Sequence, residues 1–233
     1  MKIRCVWEHN GDDTLLYAES FPGAYTRGAD LKTALKKMPD EVHSYARWAG
    51  MTITGALEVE VVQEKSSDLN IADADSNVIF EAETEPLTKE EYEYLKALAL
   101  KSAEDFYALF ISVENKSAVL SSERSTFYGK KPQTAQEMYV HTKNVNSYYF
   151  AEIDVGTNNN GTIYECRKRG LELLEQKEKF LTSGVVEGSY GEMWSVKKVL
   201  RRFIWHDRIH AKALYRAAIR AFGESSVNNS FKF

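Results

Sequence analysis

Three Thr-x-x-Glu segments constrain the fold of this 233-residue chain more than any other feature of its sequence. They are residues 88–91, 134–137 and 162–165. At this spacing the threonine hydroxyl accepts a hydrogen bond from the glutamate amide, and the glutamate carboxylate accepts one from the threonine amide. This reciprocal pair marks the start of a helix. Apolar residues follow at steps of three or four, so the pattern predicts three long helices. A fourth is predicted from about Met193 to Phe222, before Gly223.

The N-terminal part has a different pattern. Residues 2–7 and 14–18 are short apolar runs on either side of the turn sequence NGDD, which predicts a β-hairpin. Asp30 is a suitable N-cap for a helix over residues 30–48. Alternating residues predict a strand at 57–61, and a further short strand is expected at 78–80.

Charge also separates the two parts. Residues 1–86 carry 16 acidic and 8 basic residues, whereas the remainder carries 18 acidic and 22 basic residues. A domain boundary is therefore expected near Pro86, giving domains 1–86 and 87–233. The expected fold class is an α+β N-terminal domain followed by an all-α four-helix bundle, in which sites are built from facing helices.

Three of the five histidines lie on the predicted inner faces of two helices. In the last helix, steps of three and four join Val196, Val199, Phe203, His206, His210, Ala213 and Ala217. In the helix that begins at Thr134, the same steps join Met138, His141, Val145 and Tyr148. His141, His206 and His210 therefore converge on the interior.

Inward-facing histidines have two interpretations. A single one is usually a core residue bonded to a neighbour, because every buried ring nitrogen needs a partner. A shared metal would satisfy three nitrogens at once and leave a coordination position open. Glu137 lies four residues before His141 on the same face, where it is a candidate catalytic base or hydrogen-bond acceptor for a ligand. Its place in a capping box explains it about equally well.

Residues 88–222 resemble the DinB-like superfamily of metal-binding four-helix proteins. The resemblance rests on YVHTKN, which contains His141, and on WHDRIHAKAL, which contains His206 and His210. It implies one divalent metal per chain, zinc, nickel or iron, held by these three histidines. Many relatives have an arginine directly after the last histidine, where this chain has Ala211. Residues 1–62 resemble the HicB-like fold through the segment PGAYTRGADLKTALKKMPDEVHSYARWAG.

The DinB-like resemblance implies a metal-dependent enzyme that activates a low-molecular-weight thiol, or water, for transfer to a small electrophile. Thiol S-transferase and hydrolase chemistry would need the same three ligands. The alternative is a non-catalytic binding or regulatory protein that uses the HicB-like domain and holds a structural metal. The expected partners are a small-molecule thiol or electrophile, and the sequence leaves a homodimer open.

Several other features receive simpler interpretations. The eight basic residues of the last helix, Lys197 to Arg220, are expected on its solvated outer face, so nucleic-acid binding is not expected. Asp207 is expected to be solvated or paired, and Asn144, Tyr148 and Trp205 are candidates to line a pocket. Cys5 and Cys166 match no redox or zinc spacing and are expected to be buried thiols. Neither a membrane span nor a signal peptide is recognisable, so the protein is expected to be cytoplasmic.

Overall fold

A computed structural model describes residues 1–126 and 129–233. The chain forms two compact units, of which the first comprises Met1–Ala82 and the second begins at Glu83. This division falls close to the boundary predicted near Pro86. Across the described residues, no helix is both long and apolar enough to cross a membrane.

The first unit is a four-stranded sheet with one helix. Its elements are β1 (Lys2–Asn10), β2 (Asp13–Ala18), β3 (Tyr25–Gly28), α1 (Leu31–Ala49) and β4 (Glu58–Ser66). The strand order is β3-β2-β1-β4, in which β1 and β4 are parallel and the other pairs antiparallel. Asp30 caps α1 by accepting a hydrogen bond from the Thr33 amide. The predicted hairpin and the predicted helix cap are confirmed.

The predicted strand at residues 78–80 does not form. The amides of Asn77 and Val78 donate instead to Oε1 of Glu8, at 3.0 and 3.2 Å. Glu8 is fully buried in β1, and its other oxygen accepts from Ser76 Oγ at 2.5 Å. Backbone donors that satisfy a buried carboxylate are no longer available to a strand ladder.

Among its described residues, the second unit contains four α-helices and four very short strands. The helices are α2 (Lys89–Ser112), α3 (Ala135–Ala151), α4 (Ile163–Glu175) and α5 (Val196–Phe222). The strands are β5 (Ser125–Thr126), β6 (Gly129–Lys130), β7 (Val186–Glu187) and β8 (Met193–Trp194). All three predicted capping boxes are present with both reciprocal hydrogen bonds.

The predicted fold class is wrong in that the C-terminal part is not an all-α four-helix bundle. The chain has five α-helices among its described residues, and antiparallel pairs β5–β6 and β7–β8 lie between the helices of the second unit. α5 also begins three residues later than predicted, because Met193 and Trp194 belong to β8. Two-residue strands leave no alternating pattern, which needs about four residues to be recognised.

Helices α3 and α5 run antiparallel along each other. Near one end, the ring of Tyr149 lies 5.4 Å from that of Phe203, and near the other end Met138 shares a groove with Ala217. α3 is also held tightly against α4, because a Cβ added at Gly170 would lie 2.1 Å from the Phe150 ring. These contacts fix the helix that carries His141 beside the helix that carries the other two histidines.

Candidate metal centre

His141 on α3 meets His206 and His210 on α5. One ligand nitrogen from each ring lies within 4.8 Å of the other two. The ring centroid of His141 is 5.3 Å from that of His206 and 4.7 Å from that of His210. The sequence-predicted convergence of these three side chains is therefore present in the structure.

One pair of ring nitrogens has a separation typical of two ligands on one ion. Nε2 of His206 and Nε2 of His210 are 3.2 Å apart. Two nitrogens bound to a tetrahedral zinc at ~2.0–2.1 Å from the metal lie about 3.3 Å apart. The i,i+4 spacing on α5 thus produces a near-bidentate pair, and a ring nitrogen of His141 lies within 4.8 Å of both.

Burial keeps these imidazoles in the form that a metal needs. His206 is only 8% exposed, whereas His141 and His210 are partly exposed. Burial lowers the pKa of His206 well below its usual value, and positive charge on His210 or His141 lowers it further. Burial also lowers the pKa of His141. Both rings are therefore neutral near pH 7, with a lone pair available for a cation.

His206 has a buried polar atom that protein contacts do not satisfy. Its Nδ1 is buried without a hydrogen-bond partner among the described residues. Its Nε2 faces another imidazole nitrogen instead of an oxygen. Leaving a buried polar atom unsatisfied costs about 1–3 kcal/mol. A metal at Nε2 would still leave Nδ1 to water or another acceptor. The fit of these residues to a metal therefore rests on three imidazole nitrogens that lie within 4.8 Å of one another.

Solvent exposure increases along α5 on one side of the triad. His206 is buried, His210 is partly exposed, and Ala213 one turn further on is exposed. On the opposite side, the rings of Tyr149 and Phe203 cover the site, with the Tyr149 ring 6.0 Å from that of His206. A ligand would therefore approach the histidines from the C-terminal side of α5.

Among the described residues, the carboxylate of Glu137 forms no hydrogen bond with the three histidines. Oε2 accepts from the amides of Gln133 and Thr134, at 2.8 and 3.1 Å. The Gln133 and Thr134 amides hold the pKa of this carboxyl below its usual value. The structure thus shows its capping contacts, and its role in a reaction stays a prediction.

The structure selects one of the two alternatives expected for Asp207, and it places several basic residues of α5 differently from expectation. Asp207 is fully buried and pairs with the equally buried Arg167, so it is paired and not solvated. Lys198, Arg201, Arg202 and Arg208 are buried too, which corrects the prediction of a solvated basic face. Arg201 forms an ion pair with Glu83, and Lys198 with Glu192 at 2.9 Å.

The aromatic and amide candidates have contacts with residues other than the three histidines. Tyr148 is partly exposed, with its ring 6.3 Å from that of Trp194. The backbone carbonyl of Asn144 accepts from Asn159. The guanidinium of Arg202 lies 4.7 Å from the Trp205 ring and 5.4 Å from the Tyr149 ring. Sequence reasoning missed this buried cation, although Lys198, Arg202, His206 and His210 follow one another at steps of four.

Neither cysteine belongs to the candidate metal-binding group. Cys5 and Cys166 are buried and neither forms a disulfide, as predicted. Burial raises the pKa of the Cys5 thiol to about 12. Among the described residues, the three histidines are the one group of His, Cys, Asp or Glu side chains whose geometry could hold a metal ion.

Comparisons of the chain with models of protein families, with curated proteins and with solved structures return no match. The DinB-like and HicB-like resemblances therefore rest on the sequence motifs alone. What the chain can do has to be argued from the histidine cluster and its surroundings.

Proposed function

We propose that this protein binds one divalent metal ion per chain at His141, His206 and His210. The observation that carries the proposal is the convergence of three ring nitrogens within 4.8 Å, two of them 3.2 Å apart. Zinc, nickel and iron are all suited to imidazole ligands. Burial adds support, because it lowers the pKa of His141 and His206 and keeps both rings in the neutral form that a metal needs.

The proposed activity is that of a metal-dependent enzyme, a thiol S-transferase or a hydrolase. It activates a low-molecular-weight thiol, or water, for transfer to a small electrophile. The bound ion would supply a full positive charge that lowers the pKa of that thiol or water. The histidines hold the ion without neutralising it, because all three are uncharged ligands. The DinB-like arrangement of YVHTKN and WHDRIHAKAL supports this choice of chemistry.

The surroundings of the triad fit a site that admits a small molecule. Tyr149 and Phe203 exclude water on the N-terminal side of His206. On the other side, His210 is partly exposed and Ala213 is exposed. Three protein ligands with one accessible side are the usual composition of a catalytic zinc site, whereas structural sites have four.

The first experiment measures metal content. Protein purified without chelators should contain up to one zinc, nickel or iron per chain by elemental analysis. His141→Ala, His206→Ala and His210→Ala should each lower this occupancy, whereas His43→Ala, which alters a partly buried histidine of α1, should not. Full occupancy in all three triad variants would contradict the proposal.

The second experiment addresses the thiol. Cobalt-substituted protein should develop a sulfur-to-cobalt charge-transfer band when a small thiol is added. His210→Ala should abolish the band, while Cys5→Ser and Cys166→Ser should leave it unchanged. If millimolar thiol never alters the cobalt spectrum, the transferase activity is excluded and hydrolysis moves ahead of it.

A second candidate function is a binding protein with a structural metal. One observation favours it: the carboxylate of Glu137, the expected base, is engaged by the amides of Gln133 and Thr134. A site without a base would suit a metal that only stabilises the fold. A cobalt spectrum insensitive to thiols, azide and other small ligands would support this alternative.

A further inference from the structure

A groove of about 160 Å³ lies beside the histidine triad. Its lining includes Met138, one turn before His141 on α3, and Ala213, one turn after His210 on α5. A rise of ~1.5 Å per residue places each about 4.5 Å along its helix from the nearest histidine. The groove thus continues the α3–α5 interface on the side from which the triad is exposed.

The groove is positively charged. Lys131, Arg216 and Arg220 line it, and its lining contains no acidic residue. Within residues 1–126 and 129–233, these three side chains form no hydrogen bond or ion pair. Two other surface lysines of the same unit differ in this respect, since Lys168 pairs with Glu172 and Lys177 with Asp154.

We propose that the groove binds the anionic group, a carboxylate or a phosphate, of the small molecule whose donor atom takes the accessible position beside the three histidines. This assignment rests on the proposed function, because it defines the second half of the same substrate or thiol. Guanidinium groups bind carboxylate and phosphate through two parallel hydrogen bonds, so two arginines and a lysine suit such a group.

The spacing between His210 and Arg216 on α5 indicates how long the bound molecule would be. Arg216 follows His210 by six residues, which is about 9 Å along the helix axis. Side chains on a helix lean toward its N-terminus, so the Arg216 side chain extends back along α5 toward the level of His210, from a position about 120° around the helix. A donor atom and an anionic group separated by a short flexible chain would therefore span the site.

The test compares two thiols of equal length. Cobalt-loaded protein is titrated with 6-mercaptohexanoate and with 6-mercaptohexanol, and the charge-transfer band reports binding. We expect the carboxylate to bind about fivefold more tightly, as partly exposed ion pairs contribute modestly. The double variant Arg216→Gln/Arg220→Gln should reduce this preference to none without weakening the binding of mercaptohexanol. Lys168→Gln/Lys179→Gln removes two exposed charges elsewhere in the unit and should preserve the preference.

A second measurement does not depend on the metal. Metal-free protein is titrated with phosphate, and separately with acetate, at constant ionic strength while backbone amide resonances are recorded. The amides of Gln133 and Ala217 should shift with at least one anion, and Arg216→Gln/Arg220→Gln should abolish the shift. Comparison of the two anions distinguishes a phosphate from a carboxylate ligand.

The outcomes separate the two proposals. Equal binding of both thiols to the wild-type protein would overturn the anionic groove while leaving the metal site intact. If no metal or thiol binds, the proposed function fails, and the anion titration alone decides the groove. Amide shifts that are absent, or that persist in the arginine variant, would then overturn it.

Discussion

Two buried polar clusters lie one residue apart on α5, and they differ in how completely they are satisfied. Asp207 accepts hydrogen bonds from Ser102 Oγ at 2.6 Å and from both terminal nitrogens of Arg167. Nε of Arg167 donates to Asn146 Oδ1 at 3.0 Å. These four side chains are fully buried and come from α2, α3, α4 and α5, so the cluster joins all four helices of the second unit.

The histidine cluster includes His206, the residue directly before Asp207, but it faces α3. Adjacent residues on a helix point in directions that differ by about 100° around its axis. Nε2 of His206 and Nε2 of His210 face each other, and Nδ1 of His206 has no hydrogen-bond partner among the described residues. A closed network of opposite charges satisfies its own buried polar groups and needs no ligand, and removing one partner alone is strongly destabilising. A cluster of neutral bases with unused lone pairs is complete only when something else binds. The contrast distinguishes a cluster that is complete within the protein from the one that we propose as a metal site.

The largest expected effect comes from breaking the closed cluster. Asp207→Ala leaves the Arg167 guanidinium buried without its counter-charge, which should lower the free energy of unfolding by about 3–5 kcal/mol. Urea denaturation followed by circular dichroism measures this loss. Glu172→Ala, at an exposed position of α4, is the matched control and should change stability by less than about 0.5 kcal/mol.

Two milder variants allow the same comparison if the Asp207→Ala protein does not fold. Asp207→Asn keeps the shape of the side chain, and Arg167→Met/Asp207→Leu removes both charges together. The double variant should recover most of the stability lost in Asp207→Asn, because replacing a whole buried ion pair is often nearly neutral. A loss below about 1 kcal/mol in Asp207→Ala would mean that the two clusters do not differ in the way described.

The next effect concerns the open cluster and depends on metal. Zinc at a hundredfold excess over its Kd should raise the free energy of unfolding by about 2.7 kcal/mol, since only the folded protein presents the three nitrogens together. The His206→Ala variant should not gain this free energy of unfolding when zinc is added. In the presence of a chelator, its stability should fall comparatively little below that of the wild type. Thermal denaturation with and without zinc measures both. The same zinc-induced increment in His206→Ala would place the ion elsewhere.

A smaller effect should appear with pH in metal-free protein. Burial lowers the pKa of His141 and His206 in the folded state, so in the pH range below about 6.5 the unfolded chain binds more protons. The contribution of the two neutral histidines to the free energy of unfolding is therefore fully present above pH 6.5. It decreases as the pH falls, by up to about 1.4 kcal/mol per pH unit for each histidine. The relevant measurement is the difference between wild type and His141→Gln/His206→Gln, by urea denaturation from pH 8 to 5.5. A difference that is constant over that range would contradict the burial argument.

The open cluster was predictable from sequence and the closed one was not. His206 and His210 are four residues apart on a helix whose apolar period is clear, and His141 occupies the same kind of position. Helix periodicity is local information, and so are the three capping boxes. The pairing of Arg167 with Asp207 joins residues 40 apart in the chain, and no local pattern indicates it.

The basic residues of α5 illustrate the same limit. Charge normally indicates a solvated face, yet Lys198, Arg201 and Arg202 are buried against ring faces or acidic partners. Long cationic side chains can be buried when their head groups find such partners. The partners are Glu83, Glu192 and aromatic residues of α3 and β8, which only the folded chain brings together. The two-residue strands were missed for a related reason, since their pairing leaves no period in the sequence.

The smallest expected effect tests whether Glu137 only caps α3 or also acts at the histidine cluster. Glu137→Gln should leave metal affinity within about twofold of wild type, because the carboxylate bonds to the amides of Gln133 and Thr134 at the start of α3. If Glu137 instead oriented a histidine ligand, its loss would lower metal affinity by about 10–100-fold. Competition for zinc between protein and a chromogenic chelator measures the difference.

Thr134→Ala provides the comparison that makes a null result for Glu137→Gln informative. It removes the hydroxyl that accepts from the Glu137 amide at 3.1 Å, and should cost about 1 kcal/mol of stability while leaving the zinc affinity unchanged. If both variants keep their zinc, the helix start and the metal site are independent, and any base for the reaction has to come from the substrate or from another residue. If Glu137→Gln alone loses zinc, the carboxylate leaves its cap when the metal binds, and Glu137 acts in the site as the sequence spacing predicts.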